Sequence, residues 1–180
     1  MIKALMWDIG GVLIEDPKHK EFWKGAEGSQ QLRVKFGMHR INTDEFVKQG
    51  SKILKLSQKE FLEEYKKAYW TGERNTEVVK IFKNNKLKNY IYSDTNPIHL
   101  QYLKKIGQDL LNEAIKVFTD KRKKYYKSYK EILKAIHLKP SEVIFIDNKE
   151  KYTDMAKKLG INVILYQNPK QLKRDLGKFI

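Results

Sequence analysis

The 180-residue sequence contains no cysteine, which excludes a disulfide framework, a thiol nucleophile and any zinc site built on thiolates. Histidine is scarce as well. His19, His39, His99 and His137 are scattered and form no ligand-spaced pair, so a histidine metal centre is not expected. Long apolar runs are missing too. The apolar N-terminal stretch MIKALMWDIGGVLIED is interrupted by Asp8, and no small-residue cleavage pattern follows it. A signal peptide needs a cleaner apolar stretch of about 7–15 residues and a spanning helix about 20. The expectation is a soluble, cytoplasmic protein that does not engage a membrane. There is also no low-complexity linker and no internal repeat.

What is abundant is positive charge. Lys and Arg number 37 against 22 Asp and Glu, a formal net charge of +15. Such a field attracts phosphorylated small molecules and polyanions alike. The basic residues are mostly lysine and are spread along the chain, as a compositional bias would spread them. The length suits one α/β domain with a small insertion.

Short apolar runs alternate with amphipathic stretches, the pattern of parallel strands joined by helices. Ile2 to Trp7 reads as a central strand ending at Asp8, with Gly10 and Gly11 at once behind it. From 17 to 86 the signal is helical. Glu21 to Phe36 has apolar residues at irregular helical spacing, and Asn42 or Thr43 caps a helix through Phe46. SQKE, Ser57 to Glu60, is a capping box. Asn75-Thr76 caps a further helix through Val78, Val79, Ile81 and Phe82. That is too much helix for one crossover, so part of it should cover the sheet edge.

Beyond it, Tyr90 to Tyr92 is a strand ending at Ser93, and Pro97 opens a helix. Lys116 to Phe118 is a strand followed by a lysine cluster and a helix through Tyr129, Ile132, Leu133 and Ile136. Val143 to Ile146 is the clearest strand and ends at Asp147. Its helix stops at Gly160. Val163 to Leu165 is the last strand, and a terminal helix runs from Pro169 to Gly177. Asp8, Ser93 and Asp147, with a lysine from the 121–127 cluster, are thus delivered to the carboxyl edge of one sheet, where ligands of open parallel sheets bind.

Four segments resemble the motifs of the haloacid dehalogenase-like hydrolase superfamily. WDIGGVL (Trp7 to Leu13) is similar to the first motif, and YSDTN (Tyr92 to Asn96) to the second. KRKKYYKSYKEIL (Lys121 to Leu133) resembles the third, in which a lysine precedes an aromatic helix position by six residues. Matching Tyr129 to that aromatic selects Lys123. VIFIDNKEKYTDMAKKLGINVILY (Val143 to Tyr166) resembles the fourth motif and the strand after it.

The resemblance implies a doubly wound parallel sheet, a Rossmann-like α/β core over 1–16 and 87–180. A small helical cap would span 17–86, its end including a core-side helix. It further implies a magnesium-dependent phosphatase acting on a small phosphorylated metabolite. Asp8 would be the nucleophile that forms an aspartyl phosphate, Ser93 would hydrogen-bond a phosphoryl oxygen and Lys123 would neutralise its charge. Asp8, Asp147 and the backbone carbonyl of Gly10 would hold Mg²⁺. Physical chemistry suits these roles: an acyl phosphate divides one hard displacement into two easier ones, and Mg²⁺ takes one or two carboxylates together with phosphate oxygens.

Three positions depart from the family pattern. Gly10 stands where a second aspartate usually acts as general acid, a loss worth about 10²–10⁴ in rate. An acid near Glu15-Asp16, or a good leaving group, would relieve it. Asn148 follows Asp147 in place of a second acid, and Lys124 replaces the usual proline. Haloacid dehalogenase chemistry is disfavoured because that motif carries a bulkier residue at the Gly10 position. The cap aromatics Phe22, Trp23, Tyr65, Tyr69 and Trp70 are expected to pack the cap rather than line the pocket. The alternative function is a weak or inactive relative that binds anions or nucleic acid through KRKKYYK, Lys121 to Lys127.

Overall fold

A computed structural model of the chain describes residues 1–15, 21–69 and 71–180. Five parallel strands, β1 (Ala4–Trp7), β2 (Lys88–Tyr92), β3 (Lys116–Phe118), β4 (Val143–Asp147) and β5 (Asn162–Leu165), form one sheet in the order β3-β2-β1-β4-β5. β1 is central and wholly buried, as its apolar composition requires. The chain builds outward from β1 to β2 and β3, then returns across the sheet to β4 and β5. That reversal puts a crevice at the carboxyl ends of β1 and β4, where such sheets bind ligands.

Both faces of the sheet are covered. Alternate strand residues Leu5, Trp7, Ile91, Ile144 and Ile146 pack on one face. Their partners come from α4 (Thr76–Asn84), α5 (Pro97–Glu113) and α8 (Pro169–Leu176). Ala4, Met6, Tyr90, Tyr92, Val143 and Phe145 pack on the other, against α6 (Tyr126–Ile136) and α7 (Glu150–Lys157). The indole N–H of Trp7, buried with its ring, is satisfied by Asn89 Oδ1 at 2.9 Å. Among the described residues no helix is long and apolar enough to cross a membrane.

Between β1 and α4 lie a 3₁₀ turn (Glu21–Trp23) and the helices α1 (Ser29–Gly37), α2 (Thr43–Leu54) and α3 (Gln58–Tyr69). They share a separate core of Trp23, Leu32, Phe36, Phe46, Phe61, Tyr65 and Tyr69, which meets α5 through Ile98. Local signals set their ends. The Glu45 N–H donates to Asn42 Oδ1 at 2.8 Å, so Asn42 and not Thr43 caps α2. The Ser57–Glu60 box is reciprocal, at 3.2 Å and 2.9 Å. α4 begins at the expected Asn75 cap but packs on the sheet rather than in the aromatic cluster. Gly160, with φ 79°, turns the chain from α7 toward β5.

Candidate active site

Asp8 follows the last residue of β1, Ser93 the last of β2, and Asp147 is the final residue of β4. Lys123 comes from the loop between β3 and α6. Backbone bonding continues past the strand ends: the Asp8 N–H donates to the Ile146 carbonyl at 2.9 Å and the Ser93 N–H to that of Phe118 at 3.0 Å. Each side chain therefore leaves the sheet from a fixed point. Behind Asp8 the chain turns sharply, with Gly11 at φ 77°, a conformation glycine takes without a steric penalty.

The sheet edge brings three charges together. Lys123 Nζ lies 2.6 Å from Asp8 Oδ1 and 2.6 Å from Asp147 Oδ2, and all three residues are buried. Burial opposes the lysine's charge, but Asp8, Asp147 and Asp94 outweigh it and hold the ammonium above its ordinary range. Burial, aided by the charge of Asp8 and opposed by Lys123, pushes the Asp147 carboxyl up to about 6. Lys123 Nζ also sits 5.7, 5.5 and 5.5 Å from the ring centres of Tyr92, Phe145 and Tyr152. Tyr129, whose position singles out Lys123 in the sequence, packs edge-on against Tyr92 and Phe145. It supports the wall behind the ammonium.

Several contributors are not legible in the motifs. Asp94 accepts the Lys123 N–H at 2.9 Å and the Tyr152 hydroxyl at 3.2 Å. It thereby ties the lysine loop to β2 and α7. Burial and the Asp94 charge push the Tyr152 phenol up to about 12. Above this floor opens a cleft of about 350 Å³, lined by Asp8, Gly10, Ser93, Lys123 and Asp94 below and by residues of α1 and α3 above. Its upper wall includes Tyr65 and Tyr69, which are also packed in the aromatic cluster. The expectation that these rings pack rather than line the pocket is therefore corrected in part, since the two tyrosines do both. Phe22 and Trp23 only pack, and Trp70 lies outside the described residues.

The other anticipated residues fall as follows. Glu15 is exposed and does not line the cleft, and Asp16 lies outside the described residues. Of Lys121 to Lys127, Lys121 pairs with Asp120 and Glu131, while Arg122 and Lys123 turn into the cleft. Only Lys124, Tyr125, Tyr126 and Lys127 are left on the surface, so the stretch does not form one continuous basic face.

The oxygen donors at this edge are of the kind that Mg²⁺ takes. Asp8 Oδ1 accepts the Ile9 N–H at 2.8 Å and Asp147 Oδ1 the Lys149 N–H at 2.8 Å. Among the described residues no hydrogen bond reaches Asp8 Oδ2. Two buried carboxylates sharing one ammonium carry a net negative charge, and the Gly10 backbone lines the same cleft. Mg²⁺ is usually held in this way, by one or two carboxylates with the remaining positions left to substrate and water. No group of three or more acidic or histidine ligands exists among the described residues, so a site caged wholly by protein side chains is not offered.

No family model matches the chain, and no curated protein matches it. Solved structures do. A haloacid dehalogenase family enzyme of Bacteroides thetaiotaomicron, in complex with magnesium and inorganic phosphate, superposes with a TM-score of 0.76 at 20% identity, over 93% of this chain and 96% of that one. A predicted hydrolase of the same kind from Porphyromonas gingivalis gives 0.80 at 19% identity, over 99% and 98%. L-2-haloacid dehalogenase of Xanthobacter autotrophicus gives 0.65 at 18% identity, over 99% and 83%. With its five-stranded parallel sheet and its crevice at the carboxyl ends of β1 and β4, the chain has the fold of the haloacid dehalogenase-like hydrolases.

Proposed function

We propose that the protein is a phosphohydrolase that removes phosphate from a small phosphorylated metabolite through an aspartyl phosphate on Asp8. One observation carries this reading: Lys123 is buried between Asp8 and Asp147 at the bottom of a cleft of about 350 Å³. An ammonium held there between two strand-end carboxylates has little purpose for folding alone. Buried ion pairs rarely repay their desolvation, and apolar residues would pack the space as well. The fold it shares with an enzyme crystallised with magnesium and inorganic phosphate gives independent support.

In this reading an Asp8 carboxylate oxygen attacks phosphorus. The bond from phosphorus to the ester oxygen breaks, and the departing alkoxide takes a proton from solvent water. Water then attacks the acyl phosphate, returning the Asp8 carboxylate and releasing inorganic phosphate. Ser93, at the end of β2, hydrogen-bonds a phosphoryl oxygen. Lys123 offsets charge on the phosphoryl group, and as a preformed electrostatic partner it needs no reorganisation during the reaction. Mg²⁺, when bound by Asp8, Asp147 and the Gly10 carbonyl, would supply the charge that lets two anions approach. Helices α1 to α3 act as the cap that limits water and substrate size. Gly10 supplies no proton, so esters with good leaving groups react best.

Phosphate release in the presence of Mg²⁺ tests the reading. The protein should turn over an aryl phosphate about 10² or more faster than a simple alkyl phosphate, and Asp8→Asn should abolish both. Turnover that survives Asp8→Asn, or its absence with every ester tried, contradicts the assignment.

A further inference from the structure

We infer that the cleft takes a phosphoester bearing a second anionic group, a carboxylate or a second phosphate, which Arg33 and Arg122 hold at the end away from Asp8. The inference rests on the phosphohydrolase reading only for which end carries the scissile phosphate.

The first observation is the pattern of α1. Gln30, Arg33, Val34 and Gly37 line the cleft, at the i, i+3, i+4, i+7 spacing of one helical face. Leu32 points the other way, into the aromatic core, and Phe36 packs in that core while its edge borders the cleft. This division accounts for the irregular apolar spacing of the segment: the helix is packed on one side and carries polar groups, a guanidinium among them, on the side that faces the cavity. Arg33 lies 5.8 Å from the centre of the Trp23 ring. No carboxylate is within ion-pair distance of it among the described residues.

The second observation is Arg122, which rises from the loop one residue before Lys123. It is mostly buried, and its Nε has no hydrogen-bond partner. Its carboxylate neighbour, Asp94 Oδ2, stands off at 3.8 Å, too far for a hydrogen bond. Nη1 sits where a side chain at Gly37 would have to go: a Cβ built there comes within 2.7 Å of it. The last residue of α1 is thus small where the guanidinium reaches the cap.

The third is charge. Arg33, Arg122, Lys123 and Lys149 line the cleft against the carboxylates of Asp8 and Asp94. Lys123 is already engaged by Asp8 and Asp147, so the excess lies above the floor, around the arginines. Two planar guanidiniums present forks that match carboxylate or phosphate oxygens, with more directional preference than lysine offers. A volume of about 350 Å³ is near the lower end of the range for small-molecule sites, so the two anions must be only a few bonds apart.

Non-hydrolysable phosphonates separate this inference from catalysis. Calorimetric titration with Mg²⁺ present would compare propylphosphonate, 3-phosphonopropanoate and propane-1,3-bisphosphonate on the wild type, Arg33→Gln and Arg122→Gln. At least one of the doubly anionic ligands should bind about tenfold or more tightly than propylphosphonate, as a retained charge-assisted contact predicts. The tighter of the two identifies the second group. That preference should shrink to about twofold or less in Arg33→Gln, and Arg33, half-buried on the cap, decides the matter if Arg122→Gln does not fold. Affinities within about twofold for all three ligands on the wild type, or a preference that persists in the folded variants, overturn the inference. Phosphate release with no anion preference would leave the hydrolase reading intact and sink this one. An anion preference in a protein that releases no phosphate would do the reverse.

Discussion

The floor of the cleft is organised by charge, whereas the helices above it are held together by rings. At the floor, Lys123 contacts two carboxylates at 2.6 Å with essentially no solvent exposure. Removing the ammonium from such a set typically costs about 3–5 kcal/mol, because the carboxylate charges are then stranded in a dry site. In the roof, Phe46, Phe61 and Tyr65 meet one another at 5.1–5.8 Å, and Trp23 adds edge-on contacts to all three. Pairs of this kind contribute about 0.5–1.5 kcal/mol each beyond the area they bury. Charge on a strand end fixes a position to within a hydrogen bond and tolerates little change. Ring packing fixes a shape, which many sequences can fill. In the proposed function the chemistry falls to the first region and the choice of substrate to the second.

The largest expected effect that separates the regions without touching the three-charge set is at Asp94. Asp94→Ala removes the acceptor for the Lys123 N–H and the Tyr152 hydroxyl, leaving the lysine loop less fixed. Supporting residues of this sort commonly carry about 10–100-fold in activity, and kcat for an aryl phosphate should fall by that much. The Tyr152 phenol, pushed up to about 12 by burial and by Asp94, should titrate lower in the variant when followed by tyrosinate absorbance. An unmoved phenol with unchanged kcat would remove Asp94 from the site.

The roof should break differently. A Cβ at Gly50 on α2 would collide with the Phe61 ring, and Phe61 is fully buried among the rings of the cluster. Gly50→Ala should cost about 1–3 kcal/mol through overpacking, read as a lower Tm by circular dichroism. Mg²⁺ affinity, which the proposed function assigns to the floor, should hold. Loss of Mg²⁺ binding alongside the drop in Tm would show that the two regions are not independent.

A smaller effect lies in the pH dependence of stability. Folding raises the Asp147 carboxyl from 3.8 to about 6 through burial and the nearby charge of Asp8. The folded chain then binds more protons than the unfolded chain across that window. This contribution to stability is present below 3.8 and is lost as pH rises through about 6. Asp109 and Asp175, lowered by their cationic and amide partners, contribute with the opposite sign at lower pH. The informative quantity is accordingly the wild type minus Asp147→Asn, measured as Tm against pH without added Mg²⁺. That difference should decline from pH 4 to 6, and a flat or rising curve would contradict the assignment.

Legibility in the sequence follows the same division. Asp8, Ser93 and Asp147 can be read directly because a short apolar run that stops at a polar residue encodes both a strand and its end. Lys123 is selected from a run of similar lysines only through its spacing to Tyr129. Composition alone cannot distinguish it from Lys121 or Lys124, because what selects it is a pocket of rings from β2, β4 and α7. Asp94 and Tyr152 meet across 58 positions, and nothing local to either announces the other. Arg33 left one trace, the uneven apolar spacing of its helix, whose meaning appears only once a cavity is seen against that face. Arg122 left none, since the space it occupies is defined by the lack of a side chain at Gly37.

In the proposed function a carboxylate oxygen of Asp8 accepts the phosphoryl group. Trapping tests this most directly. The protein would be mixed with an aryl phosphate and Mg²⁺, quenched in acid within the first turnover, reduced with borohydride and mapped by mass spectrometry. Reduction of an aspartyl phosphate leaves homoserine, so the peptide holding Trp7 to Leu13 should carry homoserine at position 8 and lose it when substrate is omitted. Modification at any other residue, or turnover with position 8 unmodified at every quench time, would contradict the account.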